Sequence, residues 1–246
     1  MVRFVDFRER EAEILGLIVD SYIKESKPIS SAYLCQECHL SCSPATIRNV
    51  MVSLEKQGFL SHIYTSSGRV PTKKAFKRYV ESFNPEDIIE DAAVELDFYS
   101  LPSTNIEGII NYTLDSLTKF SGYTSLIAVS GGSGGLFFKG MRCILNQPEF
   151  EDINRLKHIF YILEEKVDAM HNLLSDYLDE NIKILIGDEI GLDEISDCSL
   201  VISGLKEEKI NFALALLGPV RMNYIKAASC LHSVNRQLKE VVEELI

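Results

Sequence analysis

The sequence predicts an α+β protein in two parts, a winged helix-turn-helix followed by an α/β domain, and three observations carry that reading. Helical apolar spacing over 8–25 and 32–39 leads into a capped helix that opens at Ser43 and runs directly into a short hairpin. Residues 121–246 alternate helical patterns with apolar runs of strand length, as an α/β sandwich requires. Charge is also divided: residues 1–83 carry net +3 and the remainder net −14 in a chain of net −11.

The first helix, 8–25, places Ile14, Leu17, Ile18 and Ile23 on or near one face, and Pro28 interrupts the pattern. Ser30 or Ser31 can cap a second helix over 32–39, before a turn at 41–43. Ser43 suits the next N-cap, because its hydroxyl can accept an orphan amide hydrogen bond. Pro44 loses nothing at the first helical position by lacking an N–H. Ile47, Val50, Met51 and Leu54 recur at steps of three and four and form one buried stripe, and Gly58 ends the helix. Ile63 and Tyr64 then form one arm of a hairpin, Ser66, Ser67 and Gly68 its tip, and Val70 the start of the return. A basic helix is expected over 73–83.

Helix, helix, turn, helix and hairpin is the winged helix-turn-helix order, in which the third helix reads the major groove of double-stranded DNA. The outer face of that helix carries Thr46, Arg48, Asn49, Ser53 and Lys56. Arg pairs with the acceptor edge of guanine, Asn with adenine, and Lys and Ser with the backbone. Arg48, Asn49 and Thr46 are therefore assigned to bases, and Ser43, Ser53 and Lys56 to phosphates or base edges. Ser67 and Arg69 are assigned to the wing, and Lys73, Lys74 and Lys77 to the backbone. A plain solvated face would also be polar, but charge weighs against it: seven basic residues and the single acid Glu55 lie in 43–80. A cationic footprint at one end of an acidic chain suits phosphate neutralisation.

In the second part, 106–120 is helical through Ile109, Ile110, Leu114 and Leu117, and 152–178 reads as one or two amphipathic helices. Short apolar strands are expected at 183–186, 199–203 and 212–217. Residues 224–246 close the chain as a helix with Ile225, Ala228, Leu231, Val234, Leu238, Val241, Val242 and Leu245 at helical spacing. The turn GPVRM at 218–222 can hold an anion through Arg221 or fix packing between the last strand and the last helix.

Several strings, in order, resemble the HrcA family of bacterial heat-inducible transcription repressors: PIS at 28–30, LSCSPATIRNVMVSLEKQGFL at 40–60, TSSGRVPT at 65–72 and FKRYV beyond it. LNQPEF at 145–150, ILIGDEI at 184–190, DCSLVIS at 197–203 and GPVRMNY at 218–224 continue the likeness. The resemblance implies a winged helix, placed over 1–83, and a GAF-like α/β domain, placed over 121–246, into which a dimerising segment is inserted; between them, 84–120 reads from its own acidic and amphipathic pattern as connecting helices or a plain linker. It also implies a homodimer on an inverted-repeat operator of chaperone operons, dependence on the GroE chaperonin, and release on heat stress. One departure is large. Where the family has a long stretch, YTSLIAVS and LFFKGMRCILNQPEF are joined here by Gly131, Gly132, Ser133, Gly134 and Gly135. A Gly-rich hairpin loop and a deleted insertion bridged by a designed linker both fit. The lack of any counterpart to the family's middle strands favours the second, and with it a reduced GAF-like domain.

Other classes fare worse. No run of eighteen apolar residues suggests a membrane span, and 1–11 alternates charged and apolar residues unlike a signal sequence, so a cytoplasmic protein with no membrane partner is expected. The six cysteines show no paired framework. Cys35, Cys38 and Cys42 with His39 leave an alternative open, a metal- or thiol-responsive winged-helix regulator, although no second ligand pair closes a tetrahedron. Buried thiols suit them better, and no metal or cofactor is expected. The five histidines are scattered, no nucleophile motif or phosphate-cradling loop is present, and an enzyme is not expected. Only a cleft bringing a histidine against Cys198 or Cys230 would revive that reading.

Overall fold

The computed structural model describes residues 7–37, 42–62, 68–83, 94–98, 105–131, 134–207 and 210–245. The chain divides into two compact units, Met1–Phe83 and Asn84–Ile246.

In the first unit, α1 (Phe7–Glu25), α2 (Ser31–Glu37) and α3 (Pro44–Lys56) are followed by the strands β1 (Leu60–Ser61) and β2 (Val70–Pro71) and by α4 (Lys73–Val80). Ser30 caps α2, its hydroxyl accepting from Tyr33 N at 3.1 Å. Ile14, Leu15, Ile18 and Val19 of α1 are buried with the α3 stripe Ile47, Val50, Met51 and Leu54, and Leu34 and Phe76 belong to the same core. The β1–β2 pair is antiparallel, Leu60 opposite Pro71. Residues 63–67, which hold the expected arm Ile63–Tyr64 and the tip residues Ser66 and Ser67, lie outside the described residues. So do Cys38 and His39.

The second unit is a five-stranded antiparallel sheet of order β4-β3-β7-β6-β5, built from β3 (Thr124–Ser130), β4 (Gly135–Lys139), β5 (Lys183–Ile186), β6 (Cys198–Lys206) and β7 (Asn211–Pro219). Helices α5 (Ile106–Ser121) and α9 (Tyr224–Leu245) pack on one face. The short α6 (Met141–Leu145), α7 (Ile153–Glu164) and α8 (Val167–Ser175) cover the other. Alternation along the strands sorts the side chains. Leu126, Ala128, Leu200, Ile202, Ala213, Ala215 and Leu217 join Ile159, Ile162, Met170 and Leu174 in one core. On the opposite face Ser125 Oγ donates to Leu114 O of α5 at 2.9 Å, and Ser199 Oγ lies 2.8 Å from Tyr224 Oη of α9. Because both faces are covered, β6 and β7 read as nearly unbroken apolar runs.

The strands expected at 199–203 and 212–217 are longer, 198–206 and 211–219, because paired Ser, Gly and Pro residues extend the ladder beyond the apolar centre. β3 and β4 pair antiparallel, with Val129 opposite Gly135, and Gly132 and Ser133 between them lie outside the described residues. The β4 strand itself carried no periodic signal, since all five of its residues are half-buried at the sheet edge.

The described part of 84–120 groups with the second unit. α5 lies against β3, and Gln237 of α9 donates to Val94 O at 2.6 Å and accepts from Leu96 N at 2.8 Å. Phe98 is buried edge-on against Tyr112 of α5. Amphipathic spacing reveals a buried face but not which unit covers it.

Arg221 fixes packing: its guanidinium donates to the Glu149 carboxylate and to Gln147 Oε1 at 3.0 Å, which anchors the 148–150 turn against the β7–α9 corner. Cys198 and Cys230 are buried, and burial pushes their thiols up to about 12 and about 11. Below the ordinary thiol value of 9 both folded and unfolded chains keep these protons. Above it only the unfolded chain ionises, so stability of the second unit is expected to fall as pH rises past 9. Substituting both cysteines by alanine should flatten that slope in urea titrations. In the native protein neither thiol should react with a disulfide reagent at pH 8.

Candidate nucleic-acid interface

Helix α3 is held at both ends. Ser43 Oγ accepts from Thr46 N at 3.2 Å, and Pro44 occupies the first turn. At the other end Gly58 takes a positive φ of 79°, and Phe59 N donates back to Leu54 O at 2.9 Å and Gly58 N to Glu55 O at 3.0 Å. That reversal is a Schellman turn, open to glycine at no steric cost. Lys74 Nζ donates to Gln57 O at 2.9 Å and lies 4.5 Å from the Phe59 ring centre. A cation there complements the negative end of the helix.

The hairpin is tied to the segment before α2. Ile29 and Arg69 form an antiparallel bridge, Ile29 N donating to Arg69 O at 2.9 Å and Arg69 N to Ile29 O at 2.7 Å. A side chain at Gly68 would sit 2.5 Å from the Ile29 carbonyl, so this approach requires glycine. Thr72 Oγ1 donates to Gly58 O at 2.8 Å and accepts from Ala75 N at 3.4 Å, so one hydroxyl joins the end of α3 to the start of α4. Tyr79 of α4 donates to the Asp20 carboxylate of α1.

With the scaffold in place, the predicted site residues separate. Arg48, Asn49 and Lys56 are exposed on α3, and among the described residues their side chains make no hydrogen bond or ion pair. Thr46 is half-buried, its hydroxyl 3.0 Å from that of Ser43. Ser53 is turned inward instead, donating to Glu11 Oε1 at 2.6 Å, with Gln57 donating to the same oxygen at 3.0 Å. Arg69, expected to reach out from the wing, donates from Nε to Glu55 Oε2 at 2.9 Å. Lys74 is committed to the α3 end, and Lys73 and Lys77 lie half-buried on α4. Ser67 is outside the described residues.

Residue-type reasoning missed Glu55. It binds Arg69, which precedes β2, and His62, which follows β1, linking the helix to both arms of the hairpin. Burial pushes its carboxyl up, but the His62 hydrogen bond and the Arg69 guanidinium together outweigh that and hold it below the ordinary carboxylate value. A signal was available: a lone acid among seven basic residues has a partner to find.

Other chemistry gains little from the geometry. Cys35 Sγ donates to Cys42 O at 3.6 Å. His171 Nε2 lies 2.9 Å from Val129 O, within the backbone rather than beside a thiol.

The family model described as the HrcA protein C terminal domain matches residues 45–227. The chain belongs to the HrcA family. Family membership makes it a transcription repressor rather than an enzyme. It is 25% identical over 340 residues to the heat-inducible transcription repressor HrcA of Desulforudis audaxviator, covering 96% of this chain and 98% of the relative. The namesake of Symbiobacterium thermophilum is 24% identical over 334 residues, covering 95% and 98%. Both alignments are far longer than the 246 residues here, so a substantial part of each relative has no counterpart in this chain. A crystal structure of a hypothetical protein superposes with a TM-score of 0.76 at 16% identity, over 96% of this chain and 97% of that one, which shows a shared fold.

Glu55→Gln is expected to free Arg69 and His62 and destabilise the first unit by about 1 kcal/mol near neutral pH. Because the Glu55 pKa is lowered on folding, its contribution is complete above the unfolded value of 4.5 and disappears as pH falls through the folded value. Thermal melts of both proteins from pH 7 to pH 3 should therefore converge at the acid end.

Proposed function

We propose that the first unit is a winged helix-turn-helix that reads double-stranded DNA through α3, and that the chain represses heat-shock operons by binding an inverted-repeat operator as a homodimer. The carrying observation is the outer face of α3, where Arg48, Asn49 and Lys56 stand exposed and uncommitted while Glu55, the acid beside them, is paired with the Arg69 guanidinium and hydrogen-bonded to His62. A groove-reading helix needs donors that are free before the DNA arrives, because a side chain already paired must first give up its partner.

On this reading Arg48, Asn49 and Thr46 meet base edges, while Lys56, Lys73 and Lys77 meet phosphates. Ser43 caps the helix and directs its amide-rich end toward the backbone. Arg69, Ser53 and Lys74 hold the reading helix in place. The second unit is a reduced GAF-like domain, shortened between β3 and β4, where five residues stand in for the family's longer stretch and the excess alignment length supports a missing segment. The repressor works in the cytoplasm. Among the described residues no helix is long and apolar enough to cross a membrane. Chaperonin dependence and release on heat come with the family resemblance.

The test is fluorescence anisotropy against an operator inverted repeat, a single half-site and a scrambled duplex, across a salt series. Tight binding that needs the repeat supports a dimeric reader, and equal weak binding to all three refutes it. Asn49→Ala is expected to lose about 1 to 3 kcal/mol on the repeat and little on the scrambled duplex. Lys73→Ala should weaken both alike and reduce the salt slope by about one.

A further inference from the structure

The outward face of α7 carries apolar side chains that a solvated helix has no use for. Ile153 is 59% exposed, Phe160 38% and Tyr161 45%. Ile153, Lys157, Phe160 and Glu164 follow one another at steps of four, three and four, which lines them up along a single stripe with Tyr161 beside it. The opposite face of the helix is spent on the sheet, through buried Ile159, Ile162 and Leu163. The stripe is therefore a second contact surface and not a misplaced core.

Its charges indicate what covers it. Lys157 stands toward the start of the helix and Glu164 at its end, both exposed, and among the described residues neither makes an ion pair. Seven residues apart, they are separated by roughly 10 Å along the axis and cannot pair with each other. The neighbouring cations are already engaged, Arg155 with Asp197 at 3.4 Å and Lys166 with Glu194 while lying over the Tyr161 ring, so neither competes for Glu164. An antiparallel copy of the same helix, related by a two-fold axis beside Phe160 and Tyr161, sets Lys157 of each copy opposite Glu164 of the other. The same axis brings Phe160 of one copy against Tyr161 of the next. A two-fold interface must be complementary to itself, and this pattern is: basic, aromatic, acidic in one direction meets acidic, aromatic, basic in the other.

We propose that the α7 face is a homodimer interface, with a second copy of this chain as its occupant. The inference rests on the dimeric reading above but assigns it a surface. It does not depend on the shortened β3–β4 connection, because α7 lies wholly outside that segment.

Sedimentation equilibrium of the full chain tests it through a charge exchange. Lys157→Glu and Glu164→Lys each place like charges at both ends of the seam, and each is expected to weaken the dimer at least tenfold. The double variant restores opposite charges and should recover the wild-type dissociation constant. Recovery excludes misfolding as the cause of the single-variant losses, and Phe160→Glu should give a monomer that still binds a DNA half-site. If wild-type protein dimerises and the single exchanges leave the constant unchanged, the α7 assignment is wrong while the dimeric reading stands. A wild-type chain that stays monomeric at every concentration, with or without operator, overturns both.

Discussion

Burial of Ile47, Val50, Met51 and Leu54 against α1 sets the rotation of α3 about its own axis, and the whole first unit depends on that angle. A turn of even one residue position, about 100°, would carry Arg48 or Asn49, depending on its direction, into the core and bring apolar groups to the surface. The flanking interactions act on the same constraint. Ser43 and Gly58 set where the helix starts and stops, Thr72 and Lys74 hold its C-terminal end, and the Ser53–Glu11 hydrogen bond fixes it laterally to α1.

Electrostatics within the unit serve placement as much as binding. Of the cations that composition alone would send to phosphate, Arg69 and Lys74 are engaged by the protein itself, one by the Glu55 carboxylate and one by a backbone carbonyl and an aromatic ring. The Glu55 clamp joins α3 to Arg69 and His62, the residues flanking β2 and β1. It also pairs with a cation the carboxylate that lies next to Lys56 in sequence. A single carboxylate thereby does two jobs, orienting the hairpin and leaving Arg48 and Lys56 without a competing acid nearby in sequence.

The second unit answers a different demand. A five-stranded sheet buried on both faces needs helices on each side, and the alternation of the strands assigns Leu, Ala and Ile to one side and a mixed apolar and hydroxyl set to the other. Hydroxyl groups such as Ser125, Ser199 and Ser203 are tolerated there because α5 and α9 supply partners, among them Asn235 Nδ2, which donates to Ser203 Oγ at 2.8 Å. The edge strands β4 and β5 are short, which limits the unpaired backbone presented to other sheets.

Local rules were enough to read the helices and their caps. Ser43-Pro44 and Gly58 bound α3 because a cap and a left-handed stop are decided by the residue that occupies them. The terminal helix and the strand 183–186 were legible for a similar reason, since their periodicity is complete within the segment. The family strings were legible as well, and most of them fall within the matched residues 45–227. Tertiary structure alone decided which polar groups are spent. Ser53 meets Glu11 across 42 positions of sequence, and Arg69 meets Glu55 across 14. It also decided that 106–121 packs on the second sheet and that 135–139 pairs as an edge strand. A side chain's type states which hydrogen bonds it can make, but only the folded chain determines which partner comes within 3 Å of it.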